Sequence, residues 1–165
     1  MEARRQDFMS SIGLLILRVG IGGFMMTHGW GKLQMLFAGD FEKFGDPIGI
    51  GAKLSLFLIV CAEFFAALLV VVGFATRFAA APLVFAMAVA ALTAHGSDPW
   101  TMAEGFRKFM DGETKFPSSK EPALLFLIPF LALIFTGAGW LSVDGLIWPW
   151  WWARRAKRRA AMTGK

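Results

Sequence analysis

The chain has 165 residues and a formal net charge of +5, and 56% of its residues are hydrophobic while only 18% are charged. A soluble domain of that size could not hide so much apolar surface, so the composition points to a bilayer. The basic excess sits in a short C-terminal run, Arg154, Arg155, Lys157, Arg158 and Arg159, where it suits anionic lipid; with no recognition fold beside it, nucleic acid is not an expected partner. Cys61 is the single cysteine, which excludes an intramolecular disulfide and any CxxC thiol relay.

A helix needs about 20 mostly apolar residues to cross the hydrocarbon core. In chain order, the apolar runs predict spans over residues 11–29, 54–74, 78–94 and 123–137. The first follows Arg4 and Arg5 as a signal peptide would, but Arg18 interrupts its apolar centre and no small-residue cleavage site follows, so it reads as a membrane helix. The fold class is therefore all-α, an integral membrane four-helix bundle, with residues 1–152 as the transmembrane domain and 153–165 as a basic cytoplasmic tail. An even number of spans places both termini with the turn around Arg77. Basic residues are more numerous on that side, so both termini are expected in the cytoplasm and the chain in the cell's inner membrane. The run Trp148-Pro149-Trp150-Trp151-Trp152 fits an aromatic belt at the headgroups.

Two outward loops are long. The third loop contains Asp98-Pro99, a plausible helix start. Met102, Phe106, Phe109 and Met110 then share one helical face. A short interfacial helix is expected there, as a simple anchor or as a lid over the bundle mouth.

Arg18 and Glu63 stand out because an ionisable group at mid-bilayer costs at least ~2.5 kcal/mol on insertion scales. Each lies near the middle of its span, so an Arg18–Glu63 pair facing the bundle interior is expected. It would act either as a register lock or as a proton-carrying or ligand-binding centre. His28 and His95 end spans on the outer side at matching heights, where imidazoles can hold a quinone carbonyl, a haem or a metal. No carboxylate or cysteine cluster completes a closed metal site. Arg18 and Glu63 are the candidate catalytic residues, and His28, Lys32 and His95 the candidate cofactor-binding residues. Glycines 13, 20, 22 and 23 leave small faces on the first helix for close packing.

Several stretches together resemble the DoxX family of small four-helix membrane proteins. They are Leu15-Ile16-Leu17-Arg18-Val19-Gly20, His28-Gly29-Trp30-Gly31-Lys32-Leu33, Ala62-Glu63, Val72-Gly73-Phe74-Ala75-Thr76-Arg77, and Gly137-Ala138-Gly139-Trp140-Leu141-Ser142-Val143-Asp144. The resemblance covers about residues 11–147. It implies membrane redox work, because relatives are similar to the small subunit of a thiosulfate:quinone oxidoreductase. The expected cofactor is then a quinone, with haem less favoured, and a protein partner would carry the redox centre. In the glycine-rich stretch Ser142 or Asp144 can cap a following turn, and Asp144 can pair with Arg77. The competing expectation is a non-enzymatic scaffold that recruits partners. Transport is disfavoured because the third and fourth spans lack a polar stripe, and self-association through small faces stays open.

Overall fold

The computed structural model describes residues 2–147. The Trp148 to Trp152 belt and the 153–165 tail lie outside the described residues. Within them the regular structure is helical throughout, with no strand. Helix α1 runs Glu2–Ala38, α2 Ala52–Val72, α3 Thr76–Ala94, α4 Met102–Met110 and α5 Glu121–Thr136. Three of these are long and apolar enough to cross a membrane, over Asp7–Ala38, Ala52–Val72 and Thr76–Ala94, while the apolar α5 is shorter.

Helix α1 continues well past residue 29, because nothing in Trp30 to Ala38 stops it before Gly39, which takes a left-handed φ of 75°. Its buried face is one stripe, Ser11, Arg18, Met25 and Leu33, at spacings that keep one side of a helix inward. That stripe packs on α2, and α3 packs along α5. The core between them is made of Met25, Ala66, Ala67, Val70, Ala80, Leu83, Phe130 and Leu133. Small residues are frequent there, and close helix approach with dispersion contact replaces the bulky interior of a soluble protein. The outward faces carry Ile16, Phe24, Phe78, Phe85, Leu92 and Phe135, all strongly exposed on the isolated chain, as lipid-facing positions must be.

Two helices change pitch. Residues Cys61–Ala66 of α2 form a π-helical turn, and Ala90–Ala94 close α3 with a second one. Such turns insert a residue into the ladder and often occur at functional sites.

After His95 the chain folds back on itself. Lys120 donates its backbone N–H to Pro99 O (2.9 Å), and the Lys120 ammonium lies 4.9 Å from the centre of the Trp100 ring. The helix expected in this loop is present as α4, but its N-cap is Thr101, whose hydroxyl accepts from Glu104 N. Asp98 instead binds His95. The Thr101-Met102-Ala103-Glu104 order is a capping-box pattern, which sets the start at Met102. Gly105 lies against the Ser118 backbone with no room for a side chain, so α4 sits tightly on its own return strand of chain. Phe106 and Met110 stay exposed.

Candidate functional site

Two buried polar centres organise the chain, and they are distinct. Arg18 is fully buried. Its Nη1 donates to the carbonyls of Val70 and Val71, each at 3.3 Å, and Nη2 donates to Leu141 O at 2.6 Å. Those first two carbonyls belong to the last turn of α2, the negative end of that helix. A guanidinium spreads its donors over a planar fork, which lets one side chain reach acceptors on two segments, the end of α2 and the stretch after α5. The expected pair with Glu63 does not form.

Helix register explains the difference. Helices α1 and α2 run antiparallel, and Gly22 meets Ala67 and Val71 while Gly29 meets Glu63 and Phe64. Glu63 therefore faces a point 11 residues beyond Arg18 on α1, about 16 Å further along the axis at 1.5 Å per residue. Placing the first span at 11–29 puts Arg18 at mid-depth; it does lie near the middle of α1, Glu2–Ala38, but what it meets is the last turn of α2, at one end of the bundle.

Around Arg18 the α2–α3 turn and the segment after α5 interlock. Gly73 ends α2 in the left-handed region with φ 73°, and a side chain there would collide with Arg18 Nη1. Asp144 accepts from Ala75 N (2.7 Å) and Thr76 N (2.9 Å), and its own N–H donates to Gly73 O (2.8 Å). Asp144 therefore caps the start of α3, and the expected pairing with Arg77 is absent from the ion pairs among the described residues. Ser142 does cap the next turn, accepting from Gly145 N at 2.9 Å. Ser11 donates to Asp7 O and accepts from Trp140 N, joining α1 to the same knot.

The second centre is the Lys32–Glu63 ion pair. The Glu63 side chain is 4% exposed and that of Lys32 26%, so a buried carboxylate is linked to a lysine whose side chain is partly exposed. Glu63 stands in the π-helical turn. The backbone of that turn presses so closely on α1 that a Cβ at Gly29 would meet Glu63 C at 2.7 Å. The ring of Phe64 lies 5.9 Å from that of Trp30. Lys32, expected as a cofactor contact, and Glu63, expected as Arg18's partner, are thus brought together. Spacing held a usable signal, since Lys32 follows Arg18 by 14 residues, two heptads along one face.

The histidines have separate surroundings. His28 Nδ1 donates to Phe24 O at 3.0 Å, and its ring stands edge-on to Phe126 of α5 at 5.3 Å. His95 Nδ1 lies 2.8 Å from Asp98 Oδ2. That hydrogen bond, aided by one from Ser118, holds the Asp98 carboxyl below its ordinary range. Among the described residues no three His, Cys, Asp or Glu side chains come together as a metal site.

Near the π turn an apolar groove of about 290 Å³ is lined by Phe44, Ile59, Ala62, Pro82, Phe85 and neighbours. It lies under the loop that Asp46 holds by accepting from Ile50 N, Gly51 N and Ser55 Oγ.

No curated protein and no solved structure matches the chain. The family model of DoxX matches residues 13–96, which include Arg18, Lys32, Glu63 and Gly73 and so take in most of both polar centres. With just over half of its length matched, the chain belongs to the DoxX family.

Proposed function

We propose that this chain is a four-span membrane subunit of a redox complex, and that its Lys32–Glu63 pair binds the headgroup of a quinone. Helix α5 is the fourth span in this reading. Both termini and the basic 153–165 tail lie in the cytoplasm of an inner-membrane protein, residues 1–152 form the transmembrane domain, and α4 rests in the outer interface. The redox cofactor sits on a partner chain.

The observation that carries the reading is the unequal burial of the pair. Arg18 is closed off from the surface, its guanidinium held by backbone carbonyls. Lys32 is different: it holds a buried carboxylate with one face of its ammonium and keeps part of its surface outside. An ammonium has three donors. One can serve Glu63 while another reaches a carbonyl oxygen arriving from the lipid, and Glu63 can take or give the accompanying proton. The apolar groove beside Ala62 and Ile59 suits an isoprenoid tail. When bound, a quinone would supply the electron-accepting chemistry; the chain's own part is to bind and orient the ring and to hold a proton at Glu63.

The test is quinone extraction from gently purified protein, with mass spectrometry and an absorption spectrum, for wild type, Glu63→Gln and Lys32→Met. Stoichiometric quinone in wild type that falls in both variants supports the reading. A wild type free of quinone and haem, with variants altered only in stability, would favour the second reading, a non-enzymatic scaffold. That reading has one observation of its own, since the fully buried Arg18 guanidinium is held by backbone carbonyls of two segments.

A further inference from the structure

At the end of the bundle that holds Arg18, a cavity of about 430 Å³ opens between the start of α3 and the segment after α5. Its lining combines opposite charges with aromatic rings: Arg77, Asp144, Thr76, Phe78 and Trp140. We propose that this cavity is a binding site for the headgroup of phosphatidylethanolamine, with the lipid phosphate on Arg77 and the ammonium on Asp144. The proposal rests on the helices being membrane spans and is independent of quinone chemistry.

Three observations carry it. Arg77 enters no ion pair among the described residues. Its guanidinium lies over Gly137, where Nε would be 3.1 Å from an added Cβ, so the backbone there leaves the cation space to face the cavity. Asp144 spends one acceptor site of each oxygen on the amides of Ala75 and Thr76, and a carboxylate has further lone pairs for a cation.

The rim fits a lipid better than a small solute. Phe78 is 84% exposed and Trp140 75%, and both line the cavity. Large apolar rings at the end of a span belong at the level where headgroups meet acyl chains, and Trp140 can also face an ammonium. A cavity with a cation and an anion in its wall discriminates by sign. A zwitterionic aminoethyl phosphate satisfies both groups, whereas an anionic glycerol phosphate leaves the carboxylate opposed.

Free phosphoethanolamine carries the same two charges, so the experiment must separate lipid from solute. Delipidated protein in mild detergent is titrated with phosphatidylethanolamine or phosphatidylglycerol, and native mass spectrometry follows the first lipid adduct. The expected result is tighter binding of phosphatidylethanolamine, weakened about ten-fold by Arg77→Gln, the loss of one charge-assisted contact. Trp140→Ala weakens it less, and Lys115→Gln, an exposed loop cation, leaves it unchanged. Excess phosphoethanolamine fails to displace the lipid. If Arg77→Gln misfolds, Trp140→Ala decides, because its backbone contact to Ser11 is kept. Equal affinity for the two lipids, unaltered binding in the decisive variant, or ready displacement by phosphoethanolamine each overturns the proposal. Quinone content read in the same samples keeps the two readings apart: loss of lipid with quinone retained concerns this cavity alone.

Discussion

The guanidinium of Arg18 occupies the space that a side chain on Gly73 would need. Residues 55 positions apart therefore constrain each other: α1 can insert its cation into the end of α2 only where α2 ends in a glycine. Gly73 is required twice, once for its left-handed φ of 73° and once for this contact.

Gly73→Ala is accordingly expected to destabilise strongly. The left-handed backbone alone costs about 1–2 kcal/mol for a residue with a Cβ, and displacing Arg18 exposes three buried carbonyls to the loss of their donor. Gly39→Ala is the control, because its φ of 75° is nearly the same, α1 ends there with the same reverse hydrogen bond (Asp40 N to Met35 O), and an added Cβ meets no atom nearer than 4.0 Å. Thermal unfolding in one detergent should place Gly39→Ala close to the backbone cost and Gly73→Ala well beyond it. Equal shifts would mean that Arg18 yields easily and is no clamp.

The Lys32–Glu63 pair should respond asymmetrically to truncation. Glu63→Gln leaves an ammonium that can turn outward, since Lys32 is a quarter exposed. Lys32→Met strands a buried carboxylate, a loss of roughly 3–5 kcal/mol when one partner of a buried pair goes. Thermal unfolding in one detergent should therefore place Lys32→Met well below Glu63→Gln. Comparable destabilisation by the two single variants would count against a pair of this geometry.

Much of this architecture was legible from residue pattern, and the failures have physical causes. The span limits expected for α2, α3 and α5 agree closely with the helices because Gly73, Gly137 and the loop after Ala94 are punctuation that local chemistry dictates. Burial of Arg18 and Glu63 was also legible, because lipid leaves an ionisable side chain no other place. Their partners were not, because pairing depends on register, and register depended on how far α1 runs past Trp30. The spacing of Lys32 from Arg18 is a signal only if the helix runs that far, and nothing local to Lys32 distinguishes a loop lysine from one that a longer helix carries back onto α2. The role of Asp144 was hidden for a related reason: its partners are backbone amides, Ala75 N and Thr76 N, which carry no side-chain mark in a sequence.

Asp144 should matter as a cap more than as a charge. Ala75 sits in the left-handed region with φ 47° and is the only non-glycine there among the described residues; Asp144 holds it by accepting from its N–H and from that of Thr76. Asp144→Ala removes both bonds and is expected to cost about 1–2 kcal/mol, the range of a lost N-cap. Asp144→Asn keeps one acceptor oxygen and should recover part of the loss. Ala75→Gly should raise the melting temperature of wild type by relieving strain, and more so in Asp144→Ala, where the strained turn has lost its support. A melting temperature unmoved by Asp144→Ala would show that the turn is held by packing alone.

Asp46 gives the chain a pH-dependent loop. Its hydrogen bonds, first from Ser55 Oγ and then from the Gly51 amide, hold its pKa below the ordinary 3.8. The sign follows from linkage: with the native pKa lowered, the stabilisation is fully present above the unfolded value and is lost as pH falls through the native one. Ordering of residues 46–51 should therefore be unchanged from neutrality down to about pH 5 and fail only in strong acid. Amide exchange of Ile50 and Gly51, the two N–H groups that Asp46 accepts from, measures this directly at mildly acidic pH. Asp46→Asn should raise their exchange already at neutral pH, while exchange in the buried middle of α2 stays as it was. If both amides exchange at the same rate in wild type and variant, the loop is held by Pro47 and Ile48 against the apolar groove, and the carboxylate is incidental.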